Sequence, residues 1–497
     1  MGWSKDYPDS EWPRFKKKGQ EGFPKGAKCT YKDMAWETAA WSPGNLPPGD
    51  GDPAANAWRL KDELYDLTSE PHKGPVNIAC YVPTWRKAEQ YLENTEQFNH
   101  MTHAIVAFLM FDESGGFRPD SVRAVEETIV AFRDAARDRD VRLMVAVGGT
   151  TDYEFRRLCE KGGASAEDPA FVKMCENVAG FVREHQLEGV GLDLACWWDE
   201  KGAAAGDLGG RSIAKGPHAA GTGLVHLAGF LRKGLPSPDY TVSCAVPATA
   251  WYGNNFDAKG LSRHVEWIGV MTHDFTGARE TSPCGPHSET LRIKRQKDYL
   301  GEQQGEWPSL VPDQGGPGEN PILSVEDSVW YYSNPHYINW QGKGPGHGVP
   351  RNKIAVGVPC YGYNFSYGEE SDRPTRQGPP GYRVERWWEI VEDYGPSRAM
   401  DGKPNIKDIG ETERPAFRKG QPGTYPFKNN VWFETPSTAT AKLEFAKGVG
   451  IGTVIVWDVS DDDWWTSDAS IVKALYKASG HPEKPLAGTV PAKPRRS

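Results

Sequence analysis

Short apolar runs recur along the chain from Val76 onward, and polar, amphipathic or loop-like segments separate them. Such runs are typical of parallel strands that are buried on both faces. Between the runs, the segments Ser121 to Arg139 and Pro169 to His185 carry apolar residues near helical spacing, which predicts crossover helices. Eight strand-like runs are counted, and they begin at Val76, Thr102, Val141, Gly189, Tyr240, Val265, Lys353 and Ile451.

Eight strands alternating with crossovers predict an α/β fold, the closed (β/α)8 TIM barrel. A doubly wound open sheet is the competing arrangement, but it needs a glycine-rich phosphate turn after its first strand. The residues at that point are Tyr81 to Trp85 instead. We therefore expect one barrel over residues 75–480.

Segments outside the strand and helix pattern complete the predicted organisation. Residues 1–74 are rich in Gly, Pro and charge and read as an N-terminal extension, and 481–497 read as a flexible tail. Two connections are too long for simple crossovers. One, at about 277–352, contains the aromatic stretch Trp330 to Tyr332, and the other, at about 362–427, predicts an insertion subdomain between strands 7 and 8.

Composition narrows the class of ligand. A net charge of -9 without long Lys/Arg runs argues against nucleic acid, and no stretch of 18 apolar residues is present to span a membrane. The 19 Trp residues are many for 497 residues, and they suggest stacking platforms for a neutral ligand. The segment Met1 to Phe15 does not resemble a secretory signal, which leaves either a cytosolic protein or a mature secreted form.

Cysteine positions favour free thiols over disulfides. Cys80, Cys196, Cys244 and Cys360 lie within or just after predicted buried strands. No His or Cys pair has zinc-ligand spacing, so neither a metal nor another cofactor is expected. His103, on the second strand, is interpreted as a structural residue.

Polar and aromatic side chains cluster where the predicted strands end. Functional groups of such barrels stand at the carboxyl ends of the strands. Strand alternation places Asp193 and Ala195 of the fourth strand on one inward face. The candidate residues at the other strand ends are His273 and Asp274 on the sixth, Tyr361 on the seventh and Trp457 on the eighth.

The segment HQLEGVGLDLACWW, from His185 to Trp198, resembles the signature of glycoside hydrolase family 18, in which acidic residues alternate and end in the catalytic Glu. In that register Asp193 matches an acidic position, whereas Gly191 replaces a carboxylate and Ala195 stands where the Glu is expected. THAIVAF, VAVGG, MTHDF, VGVPCYG and GIGTVIVWDVSDD are similar to other strand motifs of the family, in the same order. The resemblance covers roughly residues 76 to 478.

The resemblance implies a chitinase-like barrel that acts on β-1,4-linked N-acetylglucosamine with the substrate's acetamido oxygen as nucleophile. Asp193 and Asp274 would contact the acetamido group, with His273 standing where the family usually has Tyr. Trp457 would form the floor under the sugar ring. The predicted substrate-binding residues are Trp457, Tyr361, Trp85, Phe108 and Trp197.

Ala195 has no proton to donate, and loss of a positioned general acid typically removes a factor of about 10² to 10⁴ in rate. Asp199 and Glu200 are alternative acids, but the extra chain carries them beyond the strand end. Three functions remain open. They are a non-hydrolytic protein that binds chitin or N-acetylglucosamine oligomers, an active hydrolase carrying an engineered Glu-to-Ala change, and a barrel recruited for other chemistry on another small molecule.

Overall fold

The computed structural model describes residues 22–23, 28–31, 34–38, 42–43, 58–60, 71–86, 95–197, 215–275, 287–290, 324–335, 346–364, 383–394, 431–462 and 469–484. Eight parallel strands form a closed barrel in sequence order, and Val456 of the last strand pairs with Cys80 of the first. The predicted (β/α)8 barrel is therefore confirmed. The strands are β1 Asn77–Pro83, β2 His103–Leu109, β3 Arg142–Gly148, β4 Gly189–Asp193, β5 Thr241–Pro247, β6 Trp267–Met271, β7 Ile354–Pro359 and β8 Thr453–Trp457.

Alternate strand positions supply two separate apolar layers. One fills the barrel interior and includes Ala79, Ile105 and Ile455, whereas their neighbours Ile78, Val106 and Val456 pack outward against the helices. Both layers are buried, because closure of the barrel encloses the inner face of the strands and the surrounding helices cover the outer face. This double burial explains why the strands appear in the sequence as continuous apolar runs.

The helices pack around the barrel and begin where the sequence supplies capping groups. Asp168, for example, accepts hydrogen bonds from the backbone N–H groups of Ala170 and Phe171, with Pro169 at the first helical position. Both predicted crossover helices are confirmed. The helices are α1 Pro119–Asp138, α2 Tyr153–Ala164, α3 Pro169–Glu184, α4 Ala219–Gly234, α5 Ala250–Gly253, α6 Ala258–Leu261, α7 Val325–Ser333, α8 Trp387–Tyr394, α9 Pro436–Gly448 and α10 Ile471–Ala478. Short 3-10 helices span Thr95–His100, Arg351–Lys353 and Val459–Asp461.

Smaller sheets lie outside the barrel. Between β7 and β8, the strand Tyr361–Asn364 pairs antiparallel with both Arg383–Arg386 and Val431–Phe433. The rest of the predicted insertion, at 365–382 and 395–430, lies outside the described residues, as does the tail from 485 onward. In the N-terminal region, Gly22–Phe23 pairs with Ser42–Pro43, and Lys28–Tyr31, Met34–Thr38 and Trp58–Leu60 form a second small sheet.

Several polar groups are buried in this fold. Cys80, Cys196, Cys244 and Cys360 are buried free thiols, as predicted. His103 lies inside the barrel, where its Nδ1 is 2.8 Å from the Thr102 hydroxyl, and burial lowers its pKa to about 3. No helix in the described part of the chain is long and apolar enough to cross a membrane.

Candidate functional site

The end of β4 lies close to the neighbouring strand β3, where two glycines make room for it. Gly148 and Gly149 both have positive φ angles, of 100° and 96°. A Cβ atom on Gly148 would lie 2.3 Å from the carbonyl oxygen of Asp193, and the Gly149 N–H donates to that same oxygen at 2.8 Å. The glycine pair therefore lets the two strand ends approach and fixes the backbone of Asp193.

Asp193 is a buried carboxyl group at the mouth of the barrel. It is 4% exposed and accepts a hydrogen bond from the hydroxyl of Tyr81, while its Oδ1 has no hydrogen-bond partner within the described structure. Burial raises the pKa of Asp193 to about 7, against the opposing effects of the His273 charge and the Tyr81 hydrogen bond. Ala195, two residues further on, is also buried, at 7% exposure.

A second carboxylate, Asp274, stands after β6 within a network of hydroxyl and imidazole groups. Its Oδ1 accepts hydrogen bonds from the hydroxyls of Tyr361 at 2.6 Å and Tyr363 at 2.8 Å. His273 Nδ1 lies 3.3 Å from Asp274 Oδ2 and 3.0 Å from the Tyr361 oxygen. Because Tyr361 gives its only proton to Asp274, His273 Nδ1 must carry a hydrogen and donate.

The pKa values of the Asp193 and Asp274 carboxyl groups are shifted in opposite directions. Burial acts to raise the pKa of Asp274, but the hydrogen bond and charge of His273 and the hydrogen bond from Tyr361 hold it well below its usual range. Asp274 is therefore ionised at neutral pH, whereas Asp193 is partly protonated. Pairs of carboxyl groups with separated pKa values are typical of acid–base sites.

Aromatic rings cluster beside Asp193 and form an aromatic floor at this end of the barrel. The ring of Trp457, at the end of β8, lies 5.1 Å from that of Tyr81 and 6.0 Å from that of Phe108. Trp85 lies 6.1 Å from Trp457 and is 56% exposed. Tyr81 thus contacts both the floor and Asp193, so the structure brings Asp193, Trp457, Phe108 and Trp85 together at one end of the barrel.

A charged cluster joins the Trp85 loop to the small sheet between β7 and β8. Asp461 Oδ1 lies 3.5 Å from Arg86 Nη2 and 3.3 Å from Arg386 Nε. Burial and the charge of nearby Asp458 raise the pKa of Asp461. Arg86 directly follows Trp85, so these contacts hold that side of the cleft to the barrel.

One predicted ligand contact is not supported by the position of its side chain. Trp197 is fully buried and packs against Phe256 and His218, with ring centres 5.2 Å and 5.9 Å away. Strand β4 ends at Asp193, so the inward alternation that places Asp193 in the mouth does not extend to residue 197. We therefore assign Trp197 to the core. Residues 198–200, which include the alternative acids Asp199 and Glu200, lie outside the described residues.

Sequence reasoning missed three residues of this site. Tyr81 occupies an inward position of β1, and Tyr363 follows Tyr361 by two residues in a strand, so strand alternation was a usable signal for both. His287 is fully buried and lies with its Nε2 3.1 Å from the carbonyl oxygen of Tyr361. Burial lowers the pKa of His287 to about 3. Nothing in the pattern around His287 indicated that position.

Within the described part of the chain, no group of three or more His, Cys, Asp or Glu side chains is arranged to hold a metal ion. Asp193, Asp274 and the neighbouring aromatic side chains are the chemical groups of this site. They provide one ionised carboxylate with fixed donors, one carboxyl group that titrates near neutral pH, and an apolar aromatic floor.

The closed barrel and its cleft define the class: an α/β-barrel protein whose candidate site lies at the carboxyl ends of the strands. The chain belongs to the Glycosyl hydrolases family 18, whose family model matches residues 77–462. The family and the fold predicted from the strand motifs are thus confirmed.

Individual relatives are chitinases of low sequence identity. "Probable chitinase 10" of Drosophila melanogaster is 22% identical over 411 residues, which are 78% of this chain and 15% of that protein. "Chitotriosidase-1" of Mus musculus is 21% identical over 408 residues, 78% of this chain and 74% of that protein. The chain thus spans a small part of the longer relative.

A solved structure of the Ostrinia furnacalis Group II chitinase, a mutant of catalytic domain 2 in complex with penta-N-acetylchitooctaose, has a similar fold. The TM-score is 0.55 at 19% identity, over 82% of this chain and 98% of that one.

Proposed function

We propose that this family 18 chain binds glycans built from N-acetylglucosamine in the cleft above Trp457. We also propose that it hydrolyses them poorly, because Ala195 stands where the family's proton donor is expected. The observation that carries the proposal is the aromatic floor of Trp457, Phe108 and Trp85, which adjoins the buried Asp193. The chitinase names of the relatives and the oligosaccharide in the structural neighbour favour the same ligand.

An N-acetylglucosamine unit has an apolar ring face and an acetamido group, and the side chains of this cleft are complementary to both. The ring C–H groups of a sugar form an apolar face that stacks on an indole, and Trp457 is only partly buried. The acetamido group offers one N–H donor and one carbonyl acceptor. The buried Oδ1 of Asp193 accepts from the N–H, since that atom has no hydrogen-bond partner in the described structure.

The His273 ring supplies the complementary donor. Its Nδ1 hydrogen is directed to Tyr361 and Asp274, so the ring orientation is fixed. In the described structure no hydrogen bond involves Nε2, which donates to the acetamido carbonyl when the imidazole is protonated. His273 thereby takes the place of the tyrosine that the family usually has.

The missing element is the proton donor for the glycosidic oxygen. An alanine methyl group has no proton, and departure of an unprotonated sugar oxygen is slow, so we expect a rate loss of about 10² to 10⁴ or more. Substrate assistance replaces the nucleophile but not the acid. Binding without efficient turnover follows from a cleft that retains its floor and acetamido contacts.

Calorimetric titration with N-acetylglucosamine oligomers of increasing length tests the binding. We expect affinity to rise with length, and Trp457→Ala to weaken binding at every length. The same protein, mixed with a chromogenic oligomer glycoside, should release no more than trace chromophore. Absence of binding for every oligomer would overturn the proposal and favour a barrel used for other chemistry, whereas efficient turnover would refute the role given to Ala195.

A further inference from the structure

Two tryptophans among the described residues have strongly exposed side chains, and both stand at the mouth of the barrel. Trp85, 56% exposed, follows β1, and Trp251, 52% exposed, lies on α5 directly after β5. In the closed eight-strand order, β1 and β5 are four positions apart in either direction. The two tryptophans therefore follow strands on opposite sides of the barrel, and the β8 residue Trp457 lies beside Trp85.

Two tyrosines of α7 form hydrogen bonds on either side of the helix that carries Trp251. The Tyr332 hydroxyl donates at 2.6 Å to the carbonyl oxygen of Pro247, the last residue of β5. The Tyr331 hydroxyl donates to Asn254 Oδ1 at 2.5 Å, immediately after it. The end of β5 and the residue that follows α5 are thus hydrogen-bonded to the same buried tyrosine pair, which belongs to the aromatic stretch in the long β6–β7 connection.

Helices α5 and α7 pack closely against each other at Gly253. A Cβ atom on Gly253 would lie 2.8 Å from both Tyr331 Cε1 and the Tyr332 oxygen. His347 supports the pair from the other side, with its Nε2 2.9 Å from the Tyr331 oxygen and its ring stacked on Tyr332 at 5.1 Å. A helix held in this way presents Trp251 to a ligand without reordering of its backbone, which favours binding.

We propose that Trp251 is a further sugar-stacking subsite on the rim opposite Trp85, so that a glycan bound over Trp457 extends across the whole mouth of the barrel. This inference rests on the proposed function, because its ligand is a unit of the same N-acetylglucosamine chain. The buried tyrosine pair Tyr331 and Tyr332 then acts as a positioning element for the subsite. Trp251 contacts sugar, and the tyrosines hold the helix that presents it.

If Trp251 forms a separate subsite, its replacement should weaken the binding of long oligomers but not of short ones. A general loss of affinity would weaken both. Trp251→Ala should weaken hexamer binding by about 5- to 10-fold, as expected for loss of one aromatic stacking contact. The same change should leave dimer binding over Trp457 unaltered. Trp251→Phe keeps an aromatic face and should retain most of the hexamer affinity. Tyr332→Phe removes the hydrogen bond to Pro247 and should weaken the hexamer selectively, by a smaller factor.

Calorimetric titration of each variant with the dimer and the hexamer provides the measurement, with thermal melting to confirm folding. Phe230, which is 38% exposed on the outer helix α4, supplies the matched control, and Phe230→Ala should change neither affinity. Unchanged hexamer affinity in Trp251→Ala, while Trp457→Ala weakens binding, would overturn the subsite and leave the proposed function standing. If the unmodified protein bound no oligomer, the proposed function would fail, and the subsite with it.

Discussion

Ionisation of Asp193 should destabilise the folded protein. Replacing Asp193 by asparagine, which does not ionise, should remove this loss of stability. Burial raises the pKa of Asp193 from 3.8 to about 7, because its carboxylate is removed from water with the Tyr81 hydroxyl as its hydrogen-bond donor. The folded chain therefore holds this proton more tightly than the unfolded chain does. Linkage requires the contribution of Asp193 to the free energy of unfolding to fall as the pH rises from about 4 to 7 and to level off above that range.

The expected change in the free energy of unfolding follows from the difference between the folded and unfolded pKa of Asp193. Each tenfold change in proton affinity corresponds to about 1.4 kcal/mol, so the change from 3.8 to about 7 amounts to roughly 4 kcal/mol at pH 8. Asparagine resembles the protonated carboxyl group in size and still accepts the Tyr81 hydrogen bond. Asp193→Asn should therefore match the unmodified protein near pH 4 and exceed its stability by several kcal/mol at pH 8.

Urea unfolding of both proteins at pH 4.5, 6, 7.5 and 8.5 measures this difference. Asp112→Asn is the control with the opposite sign. Hydrogen bonds from Ser114 to Asp112, above all from its hydroxyl, lower the pKa of that carboxyl group. Its stabilising contribution is therefore present above about pH 4 and lost below it. A stability difference for Asp193→Asn that is constant from pH 4.5 to 8.5, or that shrinks as the pH rises, would refute the assignment of a buried, weakly solvated carboxyl group.

Two further changes test other parts of the molecule. Ala195→Glu should gain at least about 10²-fold in release of a chromophore from an oligomer glycoside, because nearby Asp193 raises the pKa of the new acid, and adding His273→Tyr should not reduce it. If both folded variants stayed inactive, the site would not be that of a disabled hydrolase. Lys442→Met should cost roughly 3 to 5 kcal/mol in urea unfolding, because it removes the ammonium group of a buried ion pair with Glu434, and Glu434→Leu on the same background should recover much of that loss. Equal stability of Lys442→Met and the unmodified protein would contradict this reading of the ion pair.

The barrel was predictable from local sequence because its strands are buried on both faces. Each strand has to be continuously apolar, so eight runs are visible without knowledge of any contact between them. The strand-end motifs were equally visible. They placed Asp193, Asp274 and Trp457 at the same end of the barrel, since all strands of a parallel barrel end on one face.

Only the tertiary structure distinguishes the tryptophans at the mouth of the barrel from those in the core. Trp197 and Trp457 both occur near the ends of strands, and the sequence distinguishes them poorly. Trp457 is the last residue of β8 and remains in the inward alternation, whereas Trp197 comes four residues after β4 has ended and packs against Phe256. The point at which a strand stops is set by pairing with its neighbours, which periodicity alone does not report.

The sequence by itself therefore determined the barrel, the family and the face on which the site lies, since these follow from residue periodicity and from motifs that are local in the chain. The tertiary structure decided the pairing of groups that are distant in sequence. Tyr363 reaches Asp274, and Tyr332 supports the helix of Trp251, from long connections whose sequence carries no regular period. Such contacts depend on where the barrel brings its connections together, so only the folded chain specifies them.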